Sequence, residues 1–550
     1  MNKLITSTII IFAIITSCKN DNKENQASTI LLDNKKDFSY HLDSEQIVYF
    51  LKQYPRLNEN NEKLNLFYKK RNYQFAWINA EGFNENTANV IDLIIDDAGA
   101  PQIDSLFHVN KLKKLYNLLT NKTHKFKRSD SLALELELLL TVNFFEYAKR
   151  NWGSLSNVDL KSVDWFIKRK TLNYEQQLDT FLSNNSNSVN FLEPVYRQYS
   201  LLKVYLKKYT IIEKKGGWTL LDFKEITLKK GDSSLLISSI KKQLFLMEDL
   251  HQADSSIIFN NNLESALKGF QKRFGLLEDG ALNEETIKAL NVSVHYRIQQ
   301  LLINMERCKW VPINTAGDYL AVNIPEFKLH VYHNDSLEWS CNVIVGDVKP
   351  IHNTVIFNDT LESIVFNPYW NIPNNIISNE ILPAIKKNIN YLVKHNLEVV
   401  NNSGNVIASS SIEWNKYSNN FPYIIRQKPG KNNALGLVKF LFPNSYNIYL
   451  HDTPQKSLFE EGNRSFSHGC IRVEEPIKLA KFLLRNDASF TDKEINTLIQ
   501  SKKKIYVKVK NKVSVYIAYF TAWVDREGKL NFREDIYHND EKMKALLFIK

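Results

Sequence analysis

The sequence predicts an α+β protein of several domains: a long helical scaffold half, a small three-helix unit, and a β-rich domain interrupted by a helical insertion. Three observations carry this. At 550 residues the chain is too long for one core, since domains of roughly 100–200 residues imply three or four units. Apolar residues recur at helical spacing as far as about residue 230, and after Asp318 the period changes to short β-type runs. Hydrophobic content of 43% with 24% charged residues is ordinary for a globular chain, and 17 Gly with 14 Pro are too few for a collagen-like or low-complexity one. The 71 basic and 60 acidic residues leave a net charge of +11, which suits an anionic partner. The charge is spread out, with no Lys/Arg block and no nucleic-acid motif, so a solvated basic surface is expected and a nucleic-acid partner is not.

The amino terminus speaks to compartment. Lys3 precedes an apolar run from Leu4 to Ile15, and then Thr16-Ser17-Cys18. That is the pattern of a secretory signal, too short to cross a hydrocarbon layer of about 30 Å. Ile15-Thr16-Ser17-Cys18 resembles the bacterial lipobox, in which the Cys is lipidated and becomes the first mature residue. Residues 1–18 are therefore expected to be a lipoprotein signal ending at lipidated Cys18, and residues 19–42, polar and rich in Asn, Asp and Lys, a tether. No later run is apolar enough to span a membrane, so a lipid anchor is the expected membrane attachment of an exported protein of the periplasm or cell envelope. Three cysteines remain: Cys308, Cys341 and Cys470. An odd number in an oxidising compartment leaves at least one thiol unpaired. Cys308 and Cys341 read as packing residues, with a pairing between them left open. Cys470 does not fit that description.

Residues 43–230 read as a helical scaffold domain, with amphipathic stretches at Ala88–Asp97, Ser131–Arg150 and Tyr174–Leu206. Phe67, Tyr68, Phe75, Trp77, Phe144, Phe145 and Tyr147 are expected in its core, and no catalytic cluster stands out. Residues 233–292 form a compact unit: helices at Leu235–Leu250 and Asn261–Phe274, a turn through Gly275 to Gly280, and a third helix entered from Asn283. Residues 293–317 hold a linker helix, Tyr296 to Trp310. From 318 to 550 the runs Tyr319–Ile324, Lys328–Tyr332, Trp339–Val345, Ser363–Phe366, Tyr423–Arg426, Val438–Leu441 and Asn447–Leu450 read as strands, as do Lys504–Val509, Val515–Phe520 and Thr521–Val524. The Asn-rich stretch 374–420 interrupts them as a helical insertion.

Chemistry concentrates in one place. The strand ending at Leu450 runs into His451-Asp452-Thr453, and Ser467-His468-Gly469-Cys470-Ile471-Arg472-Val473 follows before a helix from Pro476 to about Leu484. A Cys with a helix amino terminus and an Arg nearby is expected to favour the thiolate, and a neutral imidazole to take the thiol proton. His451, arriving from a separate strand, is favoured as that base; His468 would fix the loop or touch substrate. Gly469 lets backbone approach a developing oxyanion, with the N–H groups of Gly469 and Cys470 as donors. Arg472 would hold the loop or a donor carboxylate, and Tyr449 and Trp370 would line the donor site or belong to the core.

Ser467 to Val473, preceded by Tyr449-Leu-His451-Asp-Thr, resembles the active-site signature of the L,D-transpeptidases with a YkuD-type β-rich catalytic domain. Phe366 to Pro373, Arg426 to Gly436, Phe440 to Asn444 and Ala518 to Asp525 also look family-like. Phe270-Gln271 to Gly275, with Asp279-Gly280 and Thr286 to Asn291, resembles the three-helix peptidoglycan-binding-like domain. The similarity is to the large subtype, with scaffold domain, peptidoglycan-binding-like domain and a capping insertion at 374–420; many smaller relatives carry His-Gly where this chain has His451-Asp452. The resemblance implies Cys470 as nucleophile and His451 as general base in acyl transfer on peptidoglycan stem peptides. A tetrapeptide donor would lose its terminal D-Ala, and the side-chain amine of a diamino-acid acceptor would resolve the thioester as a 3–3 cross-link. Water as acceptor would give L,D-carboxypeptidase activity, and a protein lysine would give protein attachment. Carbapenem-type β-lactams are the implied inhibitors, and no cofactor is implied.

Other readings of the same residues fare worse. His-x-Cys is poor zinc spacing, and no CxxC or HExxH set accompanies it, so no metal is expected. A papain-like protease places its Cys near the mature start with His far downstream, the reverse of this order. A catalytically inactive, lipid-anchored wall tether built on 233–292 is the non-enzymatic alternative, and intact His451, Cys470 and Arg472 speak against it.

Overall fold

The computed structural model describes residues 40–548 apart from 80–81, 98–107, 122–129, 155–159, 169–171, 184–193, 223–226, 313–315 and 419. The signal, the Cys18 lipidation site and most of the tether lie outside the described residues. The chain divides into two compact units, one reaching Asp92 and resuming at His108–Thr141, the other made of residues 93–107 and 142–550.

The first unit is helical: Ser44–Gln53, Asn61–Lys70, Val109–Leu119 and the first half of Ser131–Asn151. Its opening helix starts at a capping box, in which the Asp43 carboxylate accepts from the Gln46 N–H and the Gln46 side chain accepts from the Asp43 N–H. Leu57, Leu64, Phe67, Tyr68 and Trp77 fill the core. One carboxylate is buried among them. Glu137 accepts from the N–H groups of Ala76 (2.5 Å) and Trp77 (3.0 Å) and from the Tyr68 hydroxyl (2.9 Å), so its oxygens are satisfied as buried polar groups must be. Burial still pushes its pKa up to about 7, against the pull of those donors.

In the second unit the stretch read as Tyr174–Leu206 is two helices, Tyr174–Ser183 and Gln198–Lys214, and residues 184–193 between them are outside the described set. Three short helices follow, Leu235–Leu246, Asn261–Phe274 and Glu284–Leu290, and each starts where a side-chain oxygen of Ser234, Asn260 or Asn283 accepts a first-turn N–H. The first stops short of the expected Leu250 because Glu248 takes a left-handed conformation (φ 66°). This small module is clamped to the carboxy-terminal tail. Arg273 pairs with buried Asp249 (Nε to Oδ1 2.8 Å) and donates to the Leu530 carbonyl, Phe274 lies 5.5 Å from Phe532, and Arg297 sits over both rings. Gly275 (φ 70°) is required there, since a Cβ would come within 2.5 Å of the Arg533 guanidinium. Helix Val294–Trp310 then runs beneath the tail; its Gln300 and Asn304 hydrogen-bond Thr521, and its Arg307 pairs with buried Asp540 at 2.5 Å.

The β-rich part contains β1 (Asp318–Asn323), β2 (Lys328–His333), β3 (Ser336–Gly346), β4 (Phe357–Phe366), β5 (Trp370–Asn371), β6 (Leu397–Val400), β7 (Val406–Ile407), β8 (Ile424–Gln427), β9 (Val438–Leu441), β10 (Leu450–His451), β11 (Ser465–Ser467), β12 (Ile471–Val473) and β13 (Ile505–Ala518). Nine of them form one sheet in the order β11-β3-β12-β10-β9-β4-β13-β1-β2. Because β2 also pairs with β3, the sheet closes on itself around a core of Leu320, Val322, Val343, Ile364, Phe440, Leu450, Ile471 and Val473. The runs 504–509 and 515–520 are one long strand, β13, which crosses β4 with a register shift between Lys508 and Val513. The insertion has its own core of Ile372, Ile377, Leu382, Leu392, Val399 and Ile425. Its helices end with the short Tyr391–Lys394, after which it contributes β6 and β7 to a second sheet, β5-β8-β6-β7.

Candidate active site

Register places the chemistry. Lys439 of β9 lies opposite His451 of β10, and His451 lies opposite Arg472 of β12, while Leu450 lies opposite Ile471. Side chains alternate between the two faces of a strand. Leu450 and Ile471 are fully buried in the closed sheet's core, so Tyr449, His451, Lys439, Cys470 and Arg472 share the other face. The same register puts Tyr449 beside Cys470, and the Ile471 N–H bonds the Tyr449 carbonyl at 3.1 Å. His451, two residues on from Tyr449, is the diagonal neighbour of Cys470 on that face.

The Cys470 thiol donates to the Asn447 carbonyl at 3.5 Å. Burial pushes its pKa up; the Tyr449 N–H and hydroxyl, the Lys439 ammonium and the Arg472 guanidinium pull the other way by favouring the thiolate. The expected helix amino terminus plays no part at the sulfur, because β12 intervenes and the helix begins only at Pro476. The cations and the tyrosine therefore do the work assigned to a dipole, against burial rather than with it.

His451 is only 5% exposed. Its Nδ1 is 2.5 Å from the Asp452 carbonyl, an acceptor, so Nδ1 carries the proton and Nε2 is left as the basic nitrogen. Burial, then Arg472, then Lys439 drive its pKa down to about 3, against the Asp452 carbonyl. The ring is neutral near pH 7. Asp452 itself is engaged elsewhere: Oδ1 accepts from the Thr453 N–H (2.7 Å) and Lys456 (2.8 Å), and Oδ2 accepts from the Leu437 N–H (2.8 Å). That carboxylate pins the β9 entry to the β10 exit. Gly436 lies against it at φ 60°, and a Cβ there would come within 2.3 Å of the carboxyl group. Gly436→Ala is expected to displace Asp452 and with it the carbonyl that orients His451. A melting temperature lowered by several degrees is the expected reading, checked by thermal denaturation.

The loop before Cys470 is tied from both sides. The Ser467 hydroxyl donates to the Cys470 carbonyl (2.6 Å) and accepts the Gly469 N–H (3.1 Å). Thr354 donates to the Gly469 carbonyl (2.8 Å) and accepts the Gly346 N–H (2.8 Å), and Tyr537 donates to the Gly346 carbonyl (2.6 Å). Gly469 stands at φ 108°, a conformation that suits glycine. Of the two backbone donors expected at the oxyanion, Gly469's is engaged by Ser467, and Cys470's has no partner among the described residues.

The His468 side chain is 45% exposed, with Nε2 4.0 Å from Glu380 of the insertion. Its ring is 4.3 Å from that of His352, whose Nδ1 donates to Asp347 at 3.0 Å. Arg472 donates to Gln455 at 2.7 Å. Trp370 packs against the insertion's core and pairs with Gln427. Cys308 and Cys341 are buried and unpaired, and burial raises both pKa values, that of Cys341 to about 12. Lys439, Thr354, Tyr537 and the His352–Asp347 pair escape sequence reading. Each comes from a distant segment, and Lys439 is a lone cation in an apolar run whose place beside His451 only the strand order reveals. No group of three or more potential metal ligands occurs among the described residues, and no described helix is long and apolar enough to cross a membrane.

Family models match three segments: residues 317–513 match the L,D-transpeptidase catalytic domain, residues 62–206 a scaffold domain, and residues 249–290 one described as "Putative peptidoglycan binding domain". A curated protein of Haemophilus influenzae, described as "Putative L,D-transpeptidase", is 33% identical over 354 residues, covering 62% of this chain and 70% of the relative. Among solved structures, an L,D-transpeptidase fragment from Xylanimonas cellulosilytica matches at 11% identity and TM-score 0.16, over 54% of this chain and all of the fragment. An L,D-transpeptidase from Stackebrandtia nassauensis matches at 11% identity and TM-score 0.21, over 53% of this chain and 94% of its own.

Proposed function

Because this chain belongs to the L,D-transpeptidase family, we propose that it forms 3–3 cross-links between peptidoglycan stem peptides through an acyl-enzyme on Cys470. The observation that carries the reading is the shared sheet face of Cys470, Tyr449, His451, Lys439 and Arg472, with a neutral imidazole held by its Nδ1. The Cys470 sulfur attacks the carbonyl at the L-centre of the donor's third residue as Nε2 of His451 takes the thiol proton. The C–N bond to the terminal D-Ala breaks, and the departing amine receives that proton. The acceptor's side-chain amine then attacks the thioester, gives up its proton to His451 and releases the sulfur. The Cys470 N–H faces the developing oxyanion, Ser467 and Gly469 keep the loop in shape, Arg472 and Trp370 border the donor site, and His468 stands at its edge. Residues 43–230 act as scaffold, 233–292 as the peptidoglycan-binding-like domain, 293–317 as linker helix and 318–550 as catalytic domain with its cap at 374–420. Lipidation at Cys18 tethers the protein in the cell envelope, and carbapenems acylate Cys470. Incubating the protein with tetrapeptide muropeptides should release D-Ala and yield dimers whose linkage joins two third residues. Tripeptides without dimers would make it a carboxypeptidase, and no D-Ala release would overturn the reading.

A further inference from the structure

Lys439 is not a member of the motif that announces the site, yet it stands in the middle of it. It lies directly opposite His451. Its ammonium sits 3.6 Å from the centroid of the Tyr449 ring, and Tyr449 is the register neighbour of Cys470. The side chain is half-buried, and among the described residues its ammonium makes no hydrogen bond and no ion pair. Arg472, the other nearby cation, is oriented by a hydrogen bond to the neutral amide of Gln455. Removing an ammonium from water without an anion costs several kcal/mol, and a cation over an aromatic face returns roughly 0.5–2 kcal/mol. Among the described residues neither cation has an ion-pair partner, and the sulfur of Cys470 is the neighbouring group able to become an anion.

We propose that Lys439 is a positioning residue that provides the counter-charge for the Cys470 thiolate. This rests on the reading of Cys470 as nucleophile and adds where its reactivity comes from. The S–H bond breaks with its electron pair left on sulfur, the proton passes to Nε2 of His451, and Lys439 keeps its own proton throughout. Because Lys439 and Arg472 also disfavour a charged His451, the imidazolium formed is a strong acid and hands its proton readily to the departing D-Ala amine. The groups facing Lys439 are Cys470, Tyr449, His451 and, as a like charge, Lys504.

The test is the pH dependence of iodoacetamide alkylation at Cys470 in the full chain without substrate, with Cys470→Ala as blank. In Lys439→Met the alkylation midpoint should move up by about one pH unit, a roughly tenfold slower reaction below the midpoint, and Lys439→Arg should restore the rate to within about twofold. The sign separates charge from packing. Loss of a cation raises the thiol's midpoint, whereas a loosened site relieves burial and lowers it. An unchanged or lowered midpoint overturns the proposal; a role confined to binding a donor carboxylate would leave the midpoint unchanged, since no donor is present. Lys439→Gln gives the same reading should the Met variant not fold. Wild-type protein that takes no carbapenem at Cys470 would defeat the catalytic reading instead; a carbapenem adduct with an unmoved midpoint defeats only the role of Lys439.

Discussion

Cys470→Ala is expected to abolish D-Ala release and cross-linking, by about 10⁴-fold or more, in a protein that melts within a few degrees of the wild type. Both halves follow from the same contacts. The side chain's own donated hydrogen bond, to the Asn447 carbonyl, is long at 3.5 Å, and its other polar neighbour is Tyr449. The strong bond at this residue, from Ser467, goes to its backbone carbonyl, which alanine keeps. Thr354 and Ser467 hold Gly469 whatever follows it. The sulfur is thus nearly dispensable to the fold and indispensable to the chemistry. Activity assays paired with thermal denaturation check this, and substantial turnover by the alanine variant would mean that the acyl group is carried elsewhere.

His451→Gln is expected to lower turnover by about 10²–10⁴-fold, the range for loss of a general base, whereas His468→Ala should cost less than about tenfold. The ranking rests on placement: His451 is buried on the sulfur's face with its Nδ1 fixed, and His468 is half-exposed, pointing at His352 and Glu380. The reverse order would make His468 the base. His451 also predicts a pH effect on stability. Its folded pKa, about 3, lies below the ordinary histidine value of about 6.5. As pH falls from about 6.5 toward 3 the unfolded chain takes up a proton there that the folded chain refuses, so stability is lost in that window. The stability advantage of wild type over His451→Gln should shrink by up to about 1.4 kcal/mol per pH unit between those values, measured by urea denaturation at stepped pH. A constant difference would mean that the imidazole is not buried as described.

Much of this was legible beforehand, for a physical reason. Alternation along Lys328–Tyr332 and the apolar Val438–Leu441 mark strands whichever partners they find, and Asn283 announces a helix start through its own side chain. What escaped is what depends on pairing. Strand β10 is only Leu450–His451, shorter than the run from Asn447, because Asn447 takes a left-handed turn (φ 57°). The place of Lys439 beside His451 depends on the β9–β10 register, and the grip of Arg273 on Leu530 joins segments more than 250 residues apart. The helix amino terminus assigned to Cys470 was misplaced because three residues of strand, too short to stand out in sequence, separate the two. The second sheet of the insertion escapes for a like reason: β8 reads as a strand, but its partners β5, β6 and β7 are two to four residues each.

The most direct measurement is intact mass after exposure to a carbapenem, followed by peptide mapping. One drug molecule per chain, located on Cys470 and absent from Cys470→Ala, is the expected result. An adduct that survives in the alanine variant, or that maps to another residue, would contradict a nucleophile at position 470.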